Sequence, residues 1–226
     1  MGASCPMTTL PRLDLVHTSP VVSTALRHAL SAGPQAVHVT TSVHSWSDFQ
    51  REWDFAGEVV VLDALLDDHV PLPLKVRALT RLGSQTVVLG PGRLTSAARR
   101  SGAEGAVAWI EPTAGLAATA EAIRQIALGS PPPDTRIDLA DPPLAHLTDR
   151  ELQVLALYVT ARGHTPAHLG QVLSLRTETI RSHLERGRAR YRAAGVLTNN
   201  RAALRRALVA DGWALEQQVW IDAGRP

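Results

Sequence analysis

Short apolar runs alternate with helix-like segments along the first 128 residues of the chain. The runs that we interpret as strands are RLDLVH (12–17), AVHVTTSV (36–43), EVVVLD (58–63), QTVVLG (85–90) and GAVAWI (105–110). Segments with helical spacing follow them, over residues 21–32, 47–53, 73–83, 93–104 and 114–129. This order predicts an α/β fold with a doubly wound, five-stranded parallel sheet. In such sheets the functional crevice lies at the carboxyl ends of the strands.

A proline-rich stretch over residues 129–146 interrupts this alternation. Its five prolines exclude a continuous helix and favour an extended linker. We therefore predict three segments: a sheet domain over residues 1–128, the linker over 129–146, and a C-terminal domain with its tail over 147–226.

The C-terminal segment carries helix signals only, which predicts an all-α domain. Thr148 and Glu151 form a capping box at the start of a first helix, and Thr165 before Pro166 marks the start of a second. A third helix is predicted over 177–194 and a fourth over 201–211, and the third has a buried face that comprises Ile180, Leu184, Gly187 and Tyr191.

Positive charge is concentrated in one part of the chain. The formal net charge is only +2, but residues 176–206 hold nine arginines against Glu178 and Glu185. Such a cluster attracts polyanions, usually nucleic acid, although a solvated arginine face is the plain alternative. The single cysteine, Cys5, excludes an internal disulfide. No apolar run approaches the roughly 20 residues that span a membrane, and no signal peptide is visible, so we expect a cytoplasmic protein.

Residues 147–184 resemble the helix-turn-helix domain of the LuxR/NarL family. The opening LTDRELQVLAL matches the first helix of that domain, and Thr179, Ile180, Arg181 and His183 match its recognition-helix pattern. Further matches at scaffold and turn positions are Gly163, Leu169, Leu173 and Leu175. The resemblance implies binding to double-stranded DNA, with the third helix in the major groove.

The side chains that we expect to meet DNA lie on or beside the open face of this recognition helix, which carries Arg181, Ser182, Glu185 and Arg188. Arg181 is the candidate reader of guanine, and Glu185 can accept from the amino group of cytosine. Hydroxyls at the helix N-terminus, together with flanking arginines, would hold phosphates. The complete set is Thr177, Thr179, Arg181, Ser182, Glu185, Arg186, Arg188, Arg190 and Arg192.

Two features depart from the family pattern. Twelve residues separate His183 from Gly195, where nine are typical, so the recognition helix gains about one turn. Pro166 and Ala167 replace the polar pair that the family carries on the second helix, and we expect a contact to the DNA backbone to be absent there. Operator preference therefore does not transfer from the family.

Residues 10–128 resemble the receiver domain of two-component response regulators, mainly in the order of elements. Asp63 ends the third strand, where the family carries its phosphoacceptor. The other required positions are replaced: His17 and Thr18 stand for the acidic pair that binds Mg²⁺, Gly90 for the switch hydroxyl, and Trp109 for the lysine. A lone carboxylate is a poor Mg²⁺ site, so we predict a degenerate receiver with a vestigial Asp63 and neither metal nor cofactor.

These resemblances predict a homodimeric transcription regulator that is not controlled by aspartyl phosphorylation. Two alternatives stay open: a conventional phosphorylated response regulator, and an interaction protein that binds DNA only as a heterodimer with another regulator. A partner protein or a small ligand at the receiver-like domain would then supply the signal, and the tail with Trp213 and Trp220 is a candidate surface. An enzyme using His17, Ser19 and Asp63 lacks any supporting motif.

Overall fold

The computed structural model describes residues 10–54, 57–66, 68–138, 141–160 and 164–215. Its five strands are β1 (Arg12–Val16), β2 (His38–Val43), β3 (Val59–Asp63), β4 (Gln85–Leu89) and β5 (Ala106–Ile110). The helices between and after them are α1 (Pro20–Ser31), α2 (Trp46–Glu52), α3 (Leu72–Arg81), α4 (Ser96–Ala103) and α5 (Leu116–Ala127). The C-terminal helices are α6 (Asp149–Tyr158), α7 (Pro166–Val172), α8 (Thr177–Ala193) and α9 (Arg201–Ala210).

The strands form one sheet in the order β2-β1-β3-β4-β5, and the α/β class predicted from the alternating pattern is confirmed. β1 pairs in parallel with both β2 and β3, and β3 pairs in parallel with β4. Successive connections leave β1 in opposite directions along the sheet, so the topological switch point lies between β1 and β3. Residues that follow these two strands therefore meet at one crevice.

Contacts group the chain into two compact units that do not follow the chain order. The sheet unit comprises residues 1–66, 81–91 and 107–136, and the helical unit comprises 67–80, 92–106 and 137–226. Helices α3 and α4 thus belong mainly to the helical unit, although they precede the proline-rich stretch. The division into domains at 1–128, 129–146 and 147–226 stays a prediction.

The core of the sheet unit lies between the strands and helices α1 and α5. Leu26 and Leu30 from α1 and Ile123 and Ile126 from α5 pack against the apolar residues of the strands. Asp14 of β1 is a charged residue that is fully buried within the unit. Its carboxylate accepts from the backbone N–H of Thr41 at 3.1 Å and from Nε1 of Trp53 at 2.8 Å, so burial does not leave it unbonded.

The helical unit contains the predicted helix-turn-helix geometry. Between α7 and α8 the chain turns through Ser174, which has a positive φ of 53°. Gly170 of α7 lets the turn approach closely, because a Cβ there would lie 2.7 Å from the carbonyl oxygen of Leu175. The core beneath α8 joins α6, α7 and α9 through side chains such as Leu155 and Leu204.

Most element ends lie within two residues of the predictions, and two features differ more. Helix α4 begins at Ser96 rather than at residue 93, since the side chain of Thr95 caps its first turn. The proline-rich stretch is not wholly extended, because Pro133–Thr135 form a 3₁₀ turn. Several features lie outside the described residues: Cys5, Gly163, Trp220 and the tail from residue 216. Over the described part of the chain, no helix is long and apolar enough to cross a membrane.

Candidate nucleic-acid interface and receiver-like crevice

Close packing against α6 positions α8. The four residues predicted to face the core, Ile180, Leu184, Gly187 and Tyr191, are all buried. Gly187 marks the point where the two helices cross most closely, because a Cβ there would lie 2.7 Å from both methyl groups of Leu155. This crossing fixes which side chains of α8 face outward.

Three of the predicted DNA-binding side chains form an exposed surface on α8. Arg181, Ser182 and Glu185 are exposed, and the side chain of Arg181 has 67% of its surface free. Its nearest acidic partner is Glu178, one turn earlier, with 3.7 Å between the charged atoms. An exposed pair of this kind is weak, so Arg181 is free to exchange it for another acceptor.

Two arginines on the neighbouring face of α8 already contact an acidic residue. Glu151, the capping-box residue of α6, is buried, and its carboxylate lies 3.7 Å from Nε of Arg186 and 3.3 Å from Nε of Arg190. Arg190 also donates to the carbonyl oxygen of His146 at 2.7 Å. These contacts partly neutralise both guanidinium groups, although Arg186 and Arg190 remain exposed.

Arg188 is less exposed than predicted, because its guanidinium lies over an aromatic ring. The central carbon of that group is 5.4 Å from the ring centre of Tyr158, and Arg201 lies 4.8 Å from the same centre. A cavity of about 510 Å³ opens beside this ring, and its lining includes Arg181, Glu185 and the exposed Arg192. Cation–π contact therefore holds Arg188 at the edge of the candidate surface.

The N-terminus of α8 is open to a ligand. Thr177 is the first helical residue and Thr179 follows in the same turn, both half-buried. The N-cap is Arg176, whose side chain makes no capping hydrogen bond. Among the described residues, the N-cap side chain therefore caps none of the first-turn N–H groups, an arrangement that suits phosphate binding.

Asp63 lies at the carboxyl end of β3, and hydrogen bonds from the protein already saturate much of its carboxylate. Oδ2 accepts from the backbone N–H of Thr18 at 3.1 Å and from its hydroxyl at 2.5 Å, while Oδ1 accepts from the N–H of Leu65 at 2.9 Å. Nδ1 of His17 lies 3.6 Å from Oδ2 but accepts from the N–H of Ser19. The backbone N–H of Ser19 thus shares Nδ1 of His17, and the closest described donors to the Asp63 carboxylate are those of Thr18 and Leu65.

Trp109 occupies the interior of the same crevice. Its ring is fully buried, and Nε1 donates to the carbonyl oxygen of Gly90 at 3.0 Å. A Cβ at position 90 would lie 2.5 Å from the Cβ of Ala64 and 2.9 Å from an atom of the tryptophan ring. Neither a serine nor a threonine fits at position 90 while Trp109 stands where it does.

Of the receiver positions, Asp63 lies beside His17 and Thr18, and Gly90 contacts Trp109. Among the described residues, no group of three or more His, Cys, Asp and Glu side chains is placed to bind a metal ion. The only lysine of the chain, Lys75, is buried in the helical unit and pairs with Asp68 at 2.6 Å. Asp67, its neighbour, lies outside the described residues.

Comparison with known proteins yields structural likenesses only. No known family profile matches the chain, and no curated protein does. RcsB of Salmonella enterica serovar Typhimurium, bound to promoter P1flhDC in the presence of BeF₃⁻, is 13% identical with a TM-score of 0.50 over 89% of this chain and 99% of its own. An RcsB–DNA complex (14%, TM-score 0.49, 89% and 99%) and ChrA of a heme-sensing two-component system (22%, 0.41, 87% and 95%) are also similar. The structural neighbours are response regulators, and the likeness concerns the fold.

The sequence did not predict the side chains of α6 that contact the arginines of α8. Glu151 is recognisable as a capping residue, but its approach to Arg186 and Arg190 depends on how α6 and α8 cross. The stacking of Tyr158 against Arg188 depends on the same crossing. One sequence signal could have indicated these contacts. Clustered arginines on one helix repel one another, so an acidic or aromatic side chain on a neighbouring helix is expected to offset that repulsion.

Proposed function

We propose that the protein is a transcription regulator that binds double-stranded DNA through α8. The observation that carries this proposal is the exposed surface of Arg181, Ser182 and Glu185 on a helix whose opposite face is buried and whose first turn is uncapped. A helix of this kind fits the major groove and offers both donors and an acceptor to base edges. The structurally similar RcsB chain is bound to a promoter, which agrees with this proposal.

We further propose that phosphorylation of Asp63 does not control this protein. One carboxylate oxygen of Asp63 accepts from both donors of Thr18, and the other accepts from the N–H of Leu65. The positions of the Mg²⁺-binding acidic pair carry His17 and Thr18, and the position of the lysine carries Trp109, whose ring is buried. Gly90 replaces the switch hydroxyl, and the Trp109 ring leaves no room for a side chain there. A phosphoryl group adds a charge of about −1.5 to −2, which this crevice does not offset.

The protein is proposed to act as a homodimer, because two copies of α8 about one DNA turn apart match paired half-sites. In the alternative, the DNA-binding species is a heterodimer with another regulator. Sedimentation of the pure full chain, with and without DNA, separates the two. A single chain that gains affinity only when a second regulator is added would favour the heterodimer.

The first experiment selects duplexes from a random 20-base-pair library with the full chain and measures their affinity by fluorescence anisotropy. A recovered consensus that binds more tightly than scrambled duplex supports the proposed function. Recovery of no sequence above background would contradict it.

Phosphorylation is tested separately by intact-protein mass after incubation with acetyl phosphate and Mg²⁺, with Asp63→Asn as the matched control. No added mass is expected in either protein. A phosphoryl adduct in the wild type that is absent from Asp63→Asn would make the protein a conventional response regulator.

A further inference from the structure

Helix α4 packs so closely against the residue that follows α9 that only glycine fits at that position. Gly212, which follows α9, has a positive φ of 78°. A Cβ at this position would lie 2.2 Å from the carbonyl oxygen of Ser96 and 2.6 Å from the Cβ of Arg100, both in α4. Backbone conformation and space thus both require glycine here, so the contact of α4 with the end of α9 is a specific feature of the helical unit.

Arg100 bonds α4 to this junction from a buried position. It is 4% exposed, and its guanidinium donates to the carbonyl oxygen of Asp211 at 2.8 Å and to that of Asp141 at 3.1 Å. Burial of a charged group is tolerated only where its donors are met. Because Arg100 is enclosed by the protein, it cannot itself reach DNA.

Asp211 continues the connection to the recognition helix. Its carboxylate is 4% exposed and accepts from the hydroxyl of Tyr191 at 2.8 Å and from the N–H of Leu144 at 2.8 Å. Tyr191 lies on α8 and is fully buried, and burial raises its pKa, so that the hydroxyl stays a donor at neutral pH. One residue therefore bonds α8 through its side chain and α4 through its backbone.

Helix α3 contributes to the same junction through an aromatic ring. Trp213 is buried, and the guanidinium carbons of Arg77 in α3 and Arg100 in α4 each lie 5.3 Å from its ring centre. Arg77 also forms a two-pronged bond with Glu104, at 2.6 and 2.9 Å, and contacts Asp149 in the first turn of α6. Two helices that precede the proline-rich stretch are thus bound into the support of the DNA-binding helices.

We propose that α4 holds α8 in its DNA-binding orientation through Arg100, Asp211 and Tyr191, so that the docking of α4 sets DNA affinity without contact to DNA. The inference rests on the proposed function, since it concerns the orientation of the same recognition helix. Arg100 and Tyr191 are positioning residues in this scheme. A protein or ligand that displaced α4 would act on DNA binding by this route.

The test measures DNA affinity of the full chain for the duplex recovered by selection, with active fractions fixed by stoichiometric titration. Arg100→Ala is expected to weaken binding about tenfold or more. Arg99→Ala, an exposed neighbour on α4 with the same change in charge, is expected to bind as the wild type does. The salt dependence should keep its slope in Arg100→Ala, because no phosphate contact is lost.

Tyr191→Phe gives a second test that does not depend on how well Arg100→Ala folds, because it removes a single hydroxyl and keeps the ring in the core. It is expected to weaken binding about three- to tenfold, and its effect should not add to that of Arg100→Ala, because both act through Asp211. The inference would be overturned if folded Arg100→Ala and Tyr191→Phe both bound DNA with wild-type affinity. It would also be overturned if the free-energy losses of the two single variants added up in the double variant. A wild-type chain that selects no duplex would instead refute the proposed function.

Discussion

Replacement of Arg181 by alanine separates base reading from charge attraction. The structure predicts almost no cost in folding, because the side chain is 67% exposed and its partner Glu178 is 78% exposed at 3.7 Å. Exposed pairs at this helical spacing contribute about 0.2–0.5 kcal/mol. The loss at the DNA is larger: a two-pronged contact to guanine contributes about 1–3 kcal/mol, or roughly 5- to 150-fold in affinity at 25 °C.

Arg190→Ala is the matched comparison on the same helix. Its Nε lies 3.3 Å from the buried carboxylate of Glu151, and it donates to the carbonyl oxygen of His146. Its removal leaves that carboxylate less compensated and should lower the free energy of unfolding by about 1–3 kcal/mol. Its effect on DNA should be the same for every sequence and should reduce the salt slope by about 1.

The assay is fluorescence anisotropy with the selected duplex and a scrambled duplex at three salt concentrations, and urea denaturation gives the stability of each variant. Arg181→Ala should lose affinity for the selected duplex only. Equal losses on both duplexes in both variants would refute the assignment of Arg181 as a base reader. An exposed arginine of α9, Arg206, supplies a further control for the change in net charge.

Three further predictions concern packing and titration. Gly90→Ser should lower the free energy of unfolding by about 1–3 kcal/mol in urea denaturation, because its Cβ would lie 2.5 Å from that of Ala64; an unchanged midpoint would contradict the packed crevice. Burial raises the pKa of Asp14 above 3.8, so its contribution to the free energy of unfolding is present below pH 3.8 and is lost as pH rises through the folded-state pKa. The difference in free energy of unfolding between wild type and Asp14→Asn should therefore narrow over this pH range. A difference that stays constant with pH would contradict the raised pKa. Gly187→Ala should lower the free energy of unfolding by about 1 kcal/mol, after the gain from the higher helix propensity of alanine is counted. Leu155→Val should reduce that loss in the double variant, because it removes the methyl groups that the new Cβ meets. A Gly187→Ala variant more stable than wild type would contradict the close packing of α6 against α8.

The hydrophobic period was sufficient to predict the strands, the recognition helix and its buried face. Helical spacing places Ile180 and Leu184 on one side of α8 whatever the neighbouring helix is, so the prediction needed no tertiary contacts. Arg188 is less exposed than predicted, because its guanidinium lies over the ring of Tyr158. The position of that ring depends on how α6 packs against α8, which the sequence does not show. The receiver positions were found by alignment along the strands, since strand ends meet at one edge of a parallel sheet.

Other features depend on distances that sequence spacing does not encode. Gly90 is recognisable as a missing hydroxyl, but only the structure shows that Trp109 leaves no room for one. Gly212 directly follows the predicted fourth helix, but its close contact with α4 involves a helix more than 100 residues earlier in the chain. Long-range contacts of this kind explain why the domain boundaries drawn along the sequence differ from the compact units.

The two sites together constrain how a signal would reach DNA. The described neighbours of Asp63 include Thr18, which donates to its carboxylate, and the imidazole of His17, while the ring of Trp109 is buried beside Gly90. The recognition helix, in contrast, is bonded through Tyr191 and Asp211 to α4. Under the two proposals, input acts by moving α4, through a partner or a ligand. A variant that undocks α4 should change DNA binding even when Asp63 is replaced by asparagine.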